Sequence, residues 1–352
     1  MKALFFGIYD PKYARNRVLL EGFERNGWEV VQVRVDPREY RGLAKYWQLA
    51  RFGMQVRREE FDMILVCFPG HTVMPLARLL FGKHIVFDAF LSLYDSNVFD
   101  RQLYGVWSLR GRRDWLLDAC SSRLAGKVLF DTYALRDYFI SEFGIPREKC
   151  IRVLIGADDK TFFPLHVPQE EVFTVHFHGT FIPLQGIAHI IDAADILRNE
   201  PIRFRIIGHG QESEAIDARI RALDLDRMIE RIPKVPIEKI PGYMAGAHVV
   251  LGIFGDTEKA KRAIPNKVYE AMAMGKAIIT ADARGIHELP GARNAFALVP
   301  TADPQALARA ILELKNDEGR RRALGEAARR LFERELLPER LVARLLEELN
   351  MS

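Results

Sequence analysis

The chain has 352 residues, of which 49% are hydrophobic and 28% charged, with a formal net charge of +4. That length exceeds one comfortable core, so two domains are expected. No apolar run reaches the roughly 18–20 residues needed to cross a bilayer as a helix. The three cysteines, Cys67, Cys120 and Cys150, have neither CxxC spacing nor a linked histidine, which argues against zinc and for a reducing cytoplasm.

The first stretch, "MKALFFGIYDPKYARN", reads as a core strand rather than a signal peptide. Charge returns at Asp10, and no small-residue cleavage site follows. Ala14 to Arg25 has helical spacing through Val18, Leu19, Leu20 and Phe23, and "WEVVQVRV" is the next strand. "FDMILVCF", "KHIVFDAF" and "GKVLFDT" are short apolar runs bounded by turn residues, the pattern of parallel strands buried on both faces. A Pro- and charge-rich run, "FFPLHVPQEEV", reads as a linker. The alternation then restarts with "FTVHFHGT", the helix "GIAHIIDAADILRN", "IRFRIIGHG", "MIERIP", "AHVVLGIFG", "AIIT" and "AFALV".

Two successive arrays of this kind predict an α/β protein of two doubly wound domains. Their expected extents are 1–165 and 166–335. A last helix over 336–352 carries an apolar stripe, Leu341, Leu345 and Leu349, expected to pack back on the first domain. Ligands of such sheets bind beyond the carboxyl ends of the strands. That rule selects the loops "FGIYDPKYARN", "FDAFLSLYD", "FHGTFIPLQG" and "IIGHGQE", and the loop before "NKVYEAM".

Charge is unevenly placed. Residues 1–165 hold 25 Lys and Arg against 20 Asp and Glu. The excess gathers in "VRVDPREYRGLAKYWQLARFGMQVRR", around Trp47, and in "RQLYGVWSLRGRRDWLLDACSSR", around Trp107 and Trp115. Basic residues interleaved with tryptophan suit an anionic membrane surface. Solvated helix faces with the tryptophans turned into the core would give the same pattern, and both readings stand.

The stretch "AIPNKVYEAMAMGKAIITADARGIHEL", Ala263 to Leu289, carries the chemistry. Pro265 suits a helix start. The N–H groups and dipole of that helix end favour an anion such as a diphosphate. Lys267 adds a cation there, and Glu270 lies on the same face one turn on. A carboxylate there accepts two hydroxyl hydrogen bonds, as from the vicinal diol of a ribose. An ordinary solvated Lys/Glu pair would have the same spacing.

The run "PNKVYEAMAMGKAIIT" followed by "GIHE" resembles the signature of family 4 glycosyltransferases with the GT-B fold. "VHFHGTFIPLQGI", "RFRIIGHGQE" and "VLIGADDKTFFP" resemble that family's phosphate loop, its next Gly-rich loop and its interdomain stretch. The first domain matches in architecture alone. The resemblance implies two Rossmann-like domains facing a cleft. It also implies that Glu270 holds a ribose and that Lys267, preceded by Asn266, lies near the diphosphate. Gly179, Thr180, Gln185 and Gly186 would form the phosphate loop, Gly208 and Gly210 would line the base side, and Lys234 and Val235 would form the nucleobase slot. Two departures stand out: Arg262 replaces a second glutamate of the family, and Thr180 and Gln185 replace basic residues. The catalytic candidates are Asp88, at the end of a first-domain strand, and Arg262. For Asp88 a helix cap or loop hydrogen bond is the alternative. Tyr9, Tyr13 and Arg15 read either as ligand contacts or as core tyrosines with a surface arginine.

The implied activity is transfer of a sugar from a nucleoside-diphosphate sugar, as co-substrate, to an acceptor hydroxyl. By resemblance it is retaining, independent of metal and without a resident cofactor. A lipid-linked or glycan acceptor in cell-envelope polysaccharide or glycolipid synthesis is expected. So is a cytoplasmic chain, peripheral on an anionic inner membrane face, with no nucleic-acid partner. A sugar-nucleotide 2-epimerase of the same fold and a non-catalytic nucleotide-sugar-binding subunit are the alternatives.

Overall fold

A computed structural model describes residues 1–36 and 38–351. The chain divides into two compact units. One comprises Met1–Val98, Gln102–Gly156 and Leu337–Ser352, and the other Phe99–Arg101 and Ala157–Leu336.

The first unit is built on a six-stranded parallel sheet of β1 (Lys2–Ile8), β2 (Glu29–Val35), β3 (Met63–Val66), β4 (Val86–Asp88), β5 (Lys127–Phe130) and β6 (Cys150–Arg152), in the order β2-β1-β3-β4-β5-β6. The sequence reading missed β6. It is three residues long with only Ile151 buried, too short to carry a pattern. Because side chains alternate across a sheet, Leu4, Phe6, Ile64, Val66, Phe87, Val128 and Phe130 enter one core. Ala3, Phe5, Met63, Leu65, Val86 and Leu129 enter the other.

The helices Ala14–Arg25 and Pro338–Glu348 cover the second of these faces, with Leu19, Phe23, Val342, Leu345 and Leu346 in the shared core. Their approach is set by Gly22. A Cβ there would lie 2.4 Å from both the Pro338 carbonyl oxygen and Val342 Cγ2. Arg25 pairs with Glu339 at 2.8 Å, and Asn26 Nδ2 donates to the Glu339 carbonyl at 2.9 Å. The chain's last helix is therefore held by both shape and charge.

Beneath the carboxyl end of this sheet lies a buried ion pair. Arg15 and Asp88 are wholly enclosed. Arg15 Nε donates to Asp88 Oδ2 at 3.0 Å and Nη2 donates to Oδ1 at 2.9 Å. Arg15 Nη1 donates to the carbonyls of Val153 at 2.6 Å and Leu154 at 3.1 Å. One guanidinium thus ties the first helix to β4 and to the segment that follows β6. The surface arginine expected as one reading of Arg15 is a core residue. The planar fork explains why: it satisfies a carboxylate and two carbonyls without water.

The second unit repeats the plan with β7 (Phe173–Thr180), β8 (Ile202–His209), β9 (Ile229–Ile232), β10 (Val249–Leu251), β11 (Ala277–Ala281) and β12 (Ala297–Val299). All are parallel, in the order β12-β11-β10-β7-β8-β9. Strand order reverses between β7 and β10, so their following loops diverge and leave a crevice at the carboxyl edge.

Two outcomes test this packing. Gly22→Ala should lower unfolding free energy by about 1–3 kcal/mol through overpacking. Gly105→Ala, with open space around its Cβ position, should stay within about 0.5 kcal/mol. Asp88→Ala should cost about 3–5 kcal/mol in a urea titration, because it strands a buried guanidinium. A fully stable Asp88→Ala that has lost activity would instead return Asp88 to a catalytic role.

Candidate active site

The crevice between β7 and β10 is organised by the helix Asn266–Ala273, which follows Pro265 and has no side-chain cap. Without a cap, the first-turn N–H groups and the positive helix end are left to a ligand or to water. The helix's second residue, Lys267, is buried rather than solvated. Its Nζ donates to Gln185 Oε1 and contacts the Gly252 carbonyl at 3.5 Å, just past β10. It also stands 3.7 Å from the centre of the Phe177 ring. Burial pushes the Lys267 amine well below its usual pKa, opposed by the nearby Glu270 carboxylate.

Gly179, at the end of β7, makes room for this amine. A Cβ on Gly179 would lie 3.0 Å from Lys267 Nζ and 3.4 Å from Gln185 Oε1. Gln185, buried in the turn Pro183–Gln185, is followed by Gly186 in the left-handed conformation with φ 64°. A basic residue at 185 would put a second cation against Lys267. An amide oxygen there instead accepts a hydrogen bond from it.

Glu270 is also buried, one turn along the helix. Its Oε2 lies 2.8 Å from His178 Nε2, and His178 Nδ1 lies 3.0 Å from His176 Nε2. Burial pushes the His176 imidazole well below its usual pKa, so it is neutral. The bonds are satisfied when His176 Nε2–H donates to His178 and His178 Nε2–H donates to Glu270. The carboxylate is thereby oriented from behind with acceptor capacity to spare. Sequence reasoning passed over both histidines. The signal was the alternation in "FTVHFHGT", which puts residues 176 and 178 on one face of β7.

The neighbouring strand brings Gly208 alongside Gly179, its register partner. A Cβ on Gly208 would fall 1.9 Å from the Gly179 carbonyl oxygen, so only glycine permits the strand ends to touch. Gly210 packs as closely on the Phe181 backbone. A third residue missed in the sequence, Arg231 on β9, lies over the Phe181 ring at 4.3 Å and donates to the Gly208 carbonyl at 3.1 Å. It braces this glycine loop.

Gly179, Gln185, Gly186, Gly208, Gly210, Lys267 and Glu270 therefore converge. Asn266 is half-buried at the helix start, and Arg262 is buried at the end of the short helix Glu258–Arg262. Thr180 is exposed at the strand end, paired in register with His209 rather than facing Lys267. Lys234 is exposed and Val235 half-buried in the loop leaving β9. That loop is two strands from β7, or about 10 Å at the usual strand spacing. Asp88 belongs to the other unit. Its carboxylate is paired with Arg15 inside the first unit.

Comparison with known proteins agrees with this geometry. Residues 172–317 match the family described as glycosyl transferases group 1. The chain is 30% identical over 234 residues to the amylovoran biosynthesis glycosyltransferase AmsK of Erwinia amylovora, covering 63% of this chain and 56% of that protein. It is 28% identical over 193 residues to the putative colanic acid biosynthesis glycosyltransferase WcaL of Escherichia coli K12, covering 51% and 46%. The chain thus spans about half the length of the curated relatives it matches. The crystal structure of Anabaena HepE in complex with UDP-glucose superposes with a TM-score of 0.75 at 17% identity over 100% of both chains. Residues 172–317 are thus similar to the group 1 glycosyl transferases, and the two doubly wound units are those of the GT-B fold.

Proposed function

We propose that this chain transfers a sugar from a nucleoside-diphosphate sugar to an acceptor hydroxyl, with retention of configuration. The observation that carries this reading is the buried Lys267 amine at the β7–β10 crevice, one helical turn from a carboxylate fixed by His178. A diphosphate between the ends of β7 and β10 would meet that amine and the uncapped helix N-terminus. Glu270 would accept the ribose hydroxyls, and the base would extend past Gly208 and Gly210 toward Lys234 and Val235. HepE, of the same fold, is seen with UDP-glucose, which supports a uridine nucleotide as donor.

The chemistry asked of the protein is stabilisation of negative charge as the diphosphate departs. Preorganised donors perform this best in a water-poor site. Lys267 and the helix amides are placed for that role, with Arg262 as a further cation and Thr180 as a hydroxyl donor at the loop's mouth. In this reading the protein's own cations do the work that a divalent ion performs elsewhere. The names of AmsK and WcaL, which assign those proteins to amylovoran and colanic acid biosynthesis, support a role in polysaccharide synthesis, and the same proposal takes the acceptor to be a glycan or lipid-linked intermediate handled at the membrane face.

The test is a thermal-shift and transfer screen with UDP, GDP, dTDP and CMP and the corresponding sugar nucleotides. One base family should stabilise the wild type by about 2.7 kcal/mol at a hundred times its dissociation constant. Lys267→Met should abolish that shift while the unliganded protein stays folded, and Glu270→Ala should weaken it. His178→Ala should reduce the preference for UDP over its 2′,3′-dideoxy analogue, because a loosened carboxylate no longer reads the diol. Absence of any shift at millimolar nucleotide would refute the reading.

A further inference from the structure

The most exposed large apolar side chains gather in the first unit and take no part in the nucleotide site. Leu43 is 83% exposed, Trp47 70%, Trp107 81% and Leu109 86%. Monomer surfaces seldom leave so many large apolar groups this open unless they contact something. Leu43 and Trp47 sit at the start of the helix Ala44–Gly53, and Trp107 and Leu109 at the start of Leu109–Leu124. Both helices line the same face of the first sheet, with the helix Met74–Phe81 between them. Gly53 abuts Leu80 on that middle helix, and Tyr46 hydrogen-bonds Thr72 just before it, at 2.8 Å.

Crossover helices run antiparallel to the strands they follow, so their first turns lie at the sheet's carboxyl edge. The two apolar pairs therefore share one edge. They lie about 16–20 Å apart, two helix-packing distances.

The charged side chains beside them are mostly basic. Arg41 and Lys45 stand by the first pair, and Arg110, Arg112 and Arg113, the last of them paired with Asp114, by the second. Most of these side chains are exposed. Arg112 lies 5.8 Å from the centre of the Trp107 ring. Tryptophan and leucine tips with arginine and lysine beside them suit the boundary between acyl chains and anionic headgroups. A symmetric contact with a second copy would set these cations against each other. A nucleic acid backbone would offer the leucines no apolar surface. No described helix is long and apolar enough to cross a membrane, so contact would be made from the side.

We infer that this edge is a membrane-docking surface, in which Leu43, Trp47, Trp107 and Leu109 enter the interface of an anionic leaflet and the surrounding arginines meet lipid phosphates. The inference gives residues to the membrane part of the proposed function, but it rests on no property of the nucleotide site. Loss of either one leaves the other standing.

The experiment is co-sedimentation of the full chain with phosphatidylcholine vesicles, with and without phosphatidylglycerol, including lipids brominated on the acyl chain. Binding should require phosphatidylglycerol and quench tryptophan fluorescence. It should fall steeply from about 0.1 to about 1 M salt as the screening length shortens from about 10 to about 3 Å. Trp47→Ser with Trp107→Ser should weaken binding at least tenfold and remove the quenching, since Trp28 is buried and Trp115 half-buried. Replacing Arg110, Arg112 and Arg113 by glutamine should cost about fivefold for each arginine. Unchanged melting temperatures in both variants exclude misfolding. No binding to the anionic vesicles overturns the proposal. So does binding indifferent to both sets of substitutions, or a concentration-dependent dimer that shields Trp47 and Trp107 from an aqueous quencher.

Discussion

An amine held out of water is the constraint around which the second unit's carboxyl edge is arranged. Lys267 cannot be buried there without acceptors, and its surroundings supply them: the Gln185 amide oxygen, the Gly252 carbonyl and the face of Phe177. Each partner imposes a further condition. Gln185 reaches the amine only because Gly186 turns left-handed after it. The amine fits only because residue 179 has no side chain, and Gly179 in turn leaves no space for a Cβ on Gly208. Three successive strand ends are thus fixed by one desolvated group. Burial disfavours its charged form in the unliganded protein, so the site is poised for an anion.

Glu270 shows the complementary device. A carboxylate meant to accept hydroxyl hydrogen bonds must be pointed, and His178, itself held by the neutral His176 behind it, achieves the pointing. The first unit uses its buried charge differently. Arg15 and Asp88 satisfy each other, and the guanidinium's spare donors satisfy two carbonyls. The same residue types therefore read as site in one sheet and as scaffold in the other, according to whether their hydrogen bonds close.

This difference marks the limit of what the sequence made legible. Strand and helix positions were readable because short β-branched runs alternate with helical periodicity, and only the three-residue β6 escaped. The spacing of Lys267 and Glu270 was readable because it is local to one helix, but it left an ordinary solvated pair equally open, and the glycines were marked by the family resemblance rather than by a local pattern. The pairing of Asp88 was not readable because its partner stands 73 positions away, and no local pattern reveals it. His176 and His178 were hidden for a similar reason: their meaning comes from Glu270, 92 positions beyond His178. Whether Trp47 and Trp107 faced inward or outward was a matter of helix rotation in tertiary packing, which the composition of two basic segments does not contain.

The central claim is that Lys267 is the diphosphate-binding cation, and proton linkage measures it most directly. A bound diphosphate must restore the ammonium that burial disfavours, so binding takes up a proton, and affinity falls as pH rises past the unliganded amine's pKa. Titration calorimetry of UDP at a series of pH values up to the ordinary lysine pKa, in buffers of different ionisation enthalpy, reads that proton. The account predicts net uptake in the wild type and none in Lys267→Met, with much weaker binding in the variant. Equal affinity and equal proton balance in the two proteins would contradict it.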